Sequence, residues 1–212
     1  LCYDYYDITD MIHLDPSQGN FDYVHMNSIA VDYDGHLILS ANRLSEVTKI
    51  DSETGDIIWR LGGKNNQFEF VNDEHGISRQ HDARPVPGKP NHYTIFDNGN
   101  HHQPHFSRAV EFKLDTEAMT ATRTWEYRHP TQATGWMGNA QRLPNGNTLI
   151  NWADGSMPKA TEVTQDGEVV YQGDFVDHID CYRAFRFDWD NPTDRPYLMV
   201  EPLPDQIALL FN

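Results

Sequence analysis

The chain has 212 residues, 38% of them hydrophobic and 23% charged, a composition that buries a core and is not that of a disordered segment. Its net charge of −16 repels phosphate backbones, which argues against a nucleic-acid partner, and no apolar run is long enough to span a bilayer as a helix. Aromatic residues make up 12%, which suits a β-rich interior.

The first stretch, "LCYDYYDITDMIHLD", has no initiator Met and no signal-peptide pattern, and reads as the outer strands of a repeat that precedes it. A hairpin follows: "SIAVDYDG" from Ser28, then "HLILSAN" from His36, with Asp and Gly at the turn. A third strand, "EVTKID", and a fourth, "IIWRLG" carrying Trp59, complete the unit. The same order recurs as "DARPVPGKP", "HYTIFDN", "RAVEFKLD" and "TRTWEYR", and again as "AQRLPNG", "NTLINWA", "KATEVTQ" and "VVYQGDF". The second strands begin at His36, His92 and Asn147, intervals of 56 and 55 residues. A fourth copy opens at "CYRAFRFDWD", and "DQIALLFN" ends the chain on an apolar, strand-like run. Only "DEHGISRQ" has weak helical character, and it is short.

A four-stranded unit of this size cannot bury both faces alone; stacking neighbours around an axis does so. The expectation is an all-β fold, a single β-propeller domain over residues 1–212 with three complete four-stranded blades and parts of two more. Innermost strands are expected near Ser28–Tyr33, Asp82–Val86, Ala140–Leu143 and Arg183–Phe187. Both ends read as cut edges of a longer propeller. A β-sandwich with long loops is the alternative, but its strands need not keep a constant interval.

Two of the three units have a histidine where the first strand begins, His25 and His81, and Arg43 ends the second strand of the first unit. Alone, His25 is an ordinary hydrogen-bonded residue and Arg43 an ordinary surface residue packing its stem. In a propeller the three converge at one mouth of the central channel. A neutral imidazole is a competent nucleophile and proton shuttle near neutral pH. A guanidinium grips a tetrahedral oxyanion. The trio suits transfer of a sulfuryl or phosphoryl group. No "HExxH" and no carboxylate triplet points to a metal, and no Gly-rich phosphate loop points to a nucleotide donor, so no cofactor is expected. The cluster "NGNHHQPH" (His101, His102, His105) reads as a solvated loop and not a metal site, with Asn98 and Asn100 as turn formers. "VDYDG" and "DSETGD" lack the full calcium-loop pattern. Cys2 and Cys181 are either isolated thiols or one disulfide, with no zinc or redox spacing.

"HMNSIAVDYDGHLILSANRLSEVTKIDSETGDIIWRLGG", "QHDARPVP", "YTIFDNGNH", "SRAVEFKLD" and "GNAQRLPNGNTLINW" together resemble the bacterial-type, nucleotide-independent arylsulfotransferase family over nearly the whole chain. The resemblance implies a six-bladed β-propeller. It implies transfer of a sulfuryl group from a phenolic sulfate donor to a phenol acceptor through a sulfohistidine. His81 of "QHDA" matches the histidine that becomes sulfated, His25 of "HMNS" a catalytic histidine, Arg43 the sulfate-binding arginine, and Asn27 a substrate-binding asparagine. The family's further histidine lies in an earlier blade, before this chain begins. A periplasmic or extracellular location is implied in the same way. The competing reading is a non-catalytic propeller that binds a protein or glycan partner.

Overall fold

The computed structural model describes residues 5–13, 15, 17, 19, 22–131, 133–153, 158–174 and 179–188, and the backbone of 198–203 and 206–211. These residues are all-β, with two short 3-10 turns at Ile8–Asp10 and Asn42–Leu44. The first sheet is an antiparallel meander of β1 (Met26–Val31), β2 (Leu37–Ala41), β3 (Glu46–Ile50) and β4 (Ile57–Gly62). In the second, β6 (His81–Pro85), β7 (His92–Asp97), β8 (Arg108–Asp115) and β9 (Thr120–Tyr127) repeat the meander. A short β5 (Glu69–Val71) adds to it, parallel to β9, a strand the sequence pattern did not announce. The third is β10 (Asn139–Arg142), β11 (Thr148–Asn151), β12 (Ala160–Val163) and β13 (Val169–Gly173), and β14 (Leu198–Leu203) pairs β15 (Gln206–Phe211) in a separate hairpin. The "HLILSAN" and "HYTIFDN" strands lie in different sheets, as the repeat requires, and no sheet closes on itself.

The turns form for local reasons. In "DYDG" the Asp32 N–H donates to His36 O at 2.8 Å, and Gly35 takes a φ of +85°, which a side chain would strain. The core lies between sheets. Ile38, Val47, Trp59 and Leu61 of the first pack on Ala83, Tyr93, Ile95, Val110 and Phe112 of the second. Phe96 and Ala109 on the other side of the second sheet pack on Ala140, Ile150, Trp152 and Val163 of the third. The middle sheet is therefore covered on both faces, which is why "YTIFD" is buried without alternation. The first strands lie side by side: β1 against β6, and β6 against β10.

Two expectations are corrected. The described residues before Val24 form no strand; Tyr6 and Met11 instead pack on Ala41 and Leu44 at the edge of the first sheet. Nor do residues 183–187 form a strand. They run along β10 tied by side-chain amides: Asn139 Nδ2 donates to Ala184 O and Gln141 Nε2 to Arg186 O, while both amide oxygens accept from the backbone of those residues. Backbone pairing is replaced by Asn and Gln side chains, so no ladder forms there.

One buried charge holds the second sheet's loops. Arg108 has no solvent exposure. Its guanidinium donates to Asp97 at 2.9 Å, to Asp73 at 2.6 Å, to Glu126 at 2.9 Å and to Gly76 O at 2.6 Å. Removing one member of a buried cluster leaves the others uncompensated, at a cost of about 3–5 kcal/mol. Arg108→Met is therefore expected to lower the unfolding free energy by about that amount in urea titrations. Arg128→Met, which breaks an ion pair between partly exposed side chains, should cost less than about 1 kcal/mol.

Candidate functional site

The first strands of two sheets begin with the same irregularity. In β1 an extra residue, Asn27, interrupts the register between Met26 and Ser28. In β6 the register slips between His81 and Arg84, with two residues facing one. Such bulges re-aim the side chains beside them. They come with left-handed backbone at non-glycine positions: φ is +49° at His25, +53° at Asp82, +56° at Arg79 and +58° at Met137. Strain of this kind persists only where the surroundings impose it, and these four residues lie at or just before the heads of first strands.

His81 is 3% exposed. Its Nδ1 lies 2.7 Å from Asn98 Oδ1, and its Nε2 accepts from the Met137 N–H at 3.1 Å. Asn98 Nδ2 donates to Thr134 O and Met137 O, which turns the amide so that its oxygen faces the ring. The tautomer follows from the network: Nδ1 carries the proton, and Nε2 keeps its lone pair. Burial, together with the nearby charges of His25 and Arg183, holds the ring's pKa at about 4, against the pull of the Asn98 bond. The imidazole is neutral at physiological pH.

His25 is far more open, its side chain 44% exposed, and Nδ1 is hydrogen-bonded to Asp22. Arg43 shares that carboxylate, with Nε 3.6 Å from Asp22 Oδ2. Asn27 is buried; its Nδ2 donates to Gln80 O at 2.7 Å, and its Oδ1 has no hydrogen-bond partner among the described residues. The structure thus links His25 to His81 electrostatically and to Arg43 through Asp22. No hydrogen bond or ion pair joins Arg43 to His81 among the described residues. Two arginines that sequence reasoning passed over stand beside these groups. Arg183 lies 3.5 Å from the buried Asp82 carboxylate and donates to Asn27 O. Arg79 donates to Asn42 Oδ1 at 3.2 Å.

Asn98 is no mere turn former, and "NGNHHQPH" is not simply solvated: His102 is buried against Asp97 at 2.8 Å. The repeat interval held a usable signal. Met137 stands 56 residues after His81, as His81 stands 56 after His25, and its backbone reaches back to His81. A hollow of about 760 Å³, lined by residues that include Val31, Tyr33, Arg84, Gln141 and Phe187, contains none of the predicted site residues. The strand heads bring arginine side chains near a neutral, tautomer-locked imidazole, a set of groups able to hold an anion beside a nucleophile.

A protein-family model described as Arylsulfotransferase (ASST) matches residues 10–176. A search of curated proteins gives no match.

The depressed His81 pKa makes stability depend on pH with a definite sign. Above about 6.5 the ring is neutral in both folded and unfolded chains and contributes no slope. Between about 6.5 and 4 the unfolded chain takes a proton that the folded ring refuses, so stability falls as pH falls, and the effect levels off below 4. The shift corresponds to about 3 kcal/mol. His81→Gln should flatten the unfolding free energy over this window by about that amount relative to wild type, read from urea titrations at each pH.

Proposed function

Since this chain belongs to the arylsulfotransferase family, we propose that it moves a sulfuryl group from an aryl sulfate ester to a phenolic acceptor, with His81 as nucleophile. The observation that carries this reading is the state of His81: buried, neutral, its Nδ1 proton held by Asn98, its Nε2 lone pair directed away from that bond. Nε2 attacks the sulfur, the new N–S bond forms, and the S–O bond to the ring breaks. The departing phenolate oxygen takes a proton from His25, whose other nitrogen is held by Asp22. In the second half the acceptor phenol gives its proton to His25 as its oxygen attacks sulfur, and the N–S bond breaks to restore neutral His81. Arg43 holds the sulfuryl oxygens, and Asn27 lends its buried amide to the pocket. No nucleotide and no cofactor takes part.

We read the three stacked meanders, with their first strands adjacent, as blades of a β-propeller, six in the whole domain, and the location as periplasmic or extracellular. A net charge of −16 opposes an anionic substrate, so the local cluster of Arg43, Arg79, Arg183 and His25 has to outweigh the field of the whole chain.

One observation favours a second reading, a binding module with a disused site. The Nε2 lone pair that would attack sulfur is engaged by the Met137 N–H, and attack requires that bond to open. A net hydrogen bond contributes about 1 kcal/mol, a modest addition to a barrier.

The deciding experiment gives the purified full-length protein 4-nitrophenyl sulfate and a phenol, without nucleotide. Wild type should release 4-nitrophenol and sulfate the acceptor, and His81→Asn should do neither. Arg43→Gln should be slower by about 30- to 1000-fold, the loss of one charged contact to the transition state. Undiminished transfer by His81→Asn removes His81 as nucleophile. No transfer by wild type across a broad donor panel favours the binding module.

A further inference from the structure

Beside Arg43 lies a group of basic side chains, Arg79, His101 and His13, that takes no part in the proposed bond-making steps. Ile12 N–H donates to Arg43 O at 3.1 Å, which brings His13 alongside. The His13 ring packs tilted against His101, with centroids 4.1 Å apart and ring planes at 52°. His101 N–H donates to Ser78 Oγ at 3.1 Å, next in the chain to Arg79, and Arg79 in turn bonds Asn42, the neighbour of Arg43. The four side chains therefore occupy one corner of the molecule.

Their pairing is incomplete. Arg43 Nε and His101 Nε2 are buried with no hydrogen-bond partner among the described residues. Asp22 is the carboxylate whose charge reaches Arg79, and His25 and Arg43 already share it. Burial and the like charge of Arg43 push the Arg79 guanidinium below its ordinary value. Burial and the charges of His13 and Arg79 do the same to His101. His13 and Arg79 both hold left-handed backbone, with φ of +58° and +56°. A chain with 32 acidic and 16 basic residues has gathered two arginines and two histidines here, and among the described residues Asp22 is the carboxylate that the arginines share.

We propose that Arg79, His101 and His13 form a second anion subsite adjoining Arg43, so that the preferred aryl sulfate carries a further anionic group, such as a carboxylate, on its ring. The proposal rests on the reading of Arg43 as the group that holds the sulfuryl oxygens. Arg43 then takes the sulfate end and Arg79 the second anion, with the His101 ring completing the cradle. A guanidinium bound to a carboxylate in a partly desolvated site gives a strong, charge-assisted contact.

Binding of sulfonates tests this without requiring turnover, because a carbon–sulfur bond is not transferred. Benzenesulfonate, a monoanion, and 4-sulfobenzoate, a dianion, are titrated into the full-length protein by calorimetry at pH 7 and one ionic strength. Without a local subsite the acidic chain should bind the dianion more weakly, since the global field repels it more. With the subsite, 4-sulfobenzoate should bind at least about tenfold more tightly than benzenesulfonate. Arg79→Gln should bring that ratio to about one, and His101→Gln, a second variant in case the first folds poorly, should reduce it severalfold. Arg43→Gln should weaken both ligands. Equal or inverted affinities in wild type, or a ratio unchanged in both Arg79→Gln and His101→Gln, would overturn the subsite. Loss of transfer activity with the binding ratio intact would overturn the enzymatic reading and leave the subsite standing.

Discussion

A guanidinium with no contact to water has to be surrounded by oxygen, and much of this structure follows from how Arg108 meets that demand. The buried cation fixes Asp73 and Asp97 in place, and each carboxylate then organises backbone on its far side. Asp73 accepts from the His75 and Gly76 N–H groups, and Asp97 from those of Ser78 and Gly99. The loop that leads into β6 and the loop that leaves β7 are therefore pinned to the same charge. Between those two loops sit His81 and Asn98. The imidazole is held by an amide whose neighbour in the chain is ionically anchored, so the tautomer of His81 is a remote consequence of a salt cluster.

The same logic joins one sheet to the next. Asn42 and Asn98 directly follow the second strands of successive repeats, and each sends its Nδ2 into the loop ahead of the following sheet: Asn42 to Arg79 O at 2.6 Å, Asn98 to Thr134 O and Met137 O. Asn27 and Asn139, at the heads of first strands, do likewise with Gln80 O and Ala184 O. Apolar packing between sheets is non-directional and would tolerate sliding. Amide bonds across the gap are directional and fix the offset between strand heads. A site assembled from different sheets needs that offset held within hydrogen-bond tolerance.

The meanders were legible in the sequence because a strand's period and its turn chemistry are local properties. "HLILSAN", "HYTIFDN" and "NTLINWA" each became the second strand of its own sheet. What failed was also physical. Residues 183–187 have strand-like composition, but their backbone groups are met by the side chains of Asn139 and Gln141, and no pattern of hydrophobicity announces such a substitution. The short parallel β5 depends on a distant partner, β9. At the candidate site, His25, Arg43 and His81 were visible as costly polar groups at strand ends, and Asn27 only through the family resemblance. Asn98 was misjudged because an asparagine beside a glycine ordinarily serves a turn. Arg79 and Arg183 were missed because a basic residue on a surface loop gives no sign of its neighbours. Their significance appears only when counter-charges are counted in space.

The proposed chemistry turns on which nitrogen of His81 is available. With Nδ1 bound to Asn98, only Nε2 can reach a substrate, and Nε2 is closed by one backbone N–H. That donor belongs to Met137, in left-handed backbone at φ +58° and followed by Gly138 at φ +96°. A Cβ on Gly138 would lie 2.4 Å from the Phe96 ring, so the turn sits tightly on the middle sheet. The Met137 N–H that satisfies Nε2 is thus carried by a turn in left-handed backbone. A buried imidazole left open would instead pay for an unmet acceptor at all times. Closing Nε2 with a backbone donor satisfies the lone pair in the resting protein, and in the proposed reaction a sulfuryl group would have that one hydrogen bond to displace.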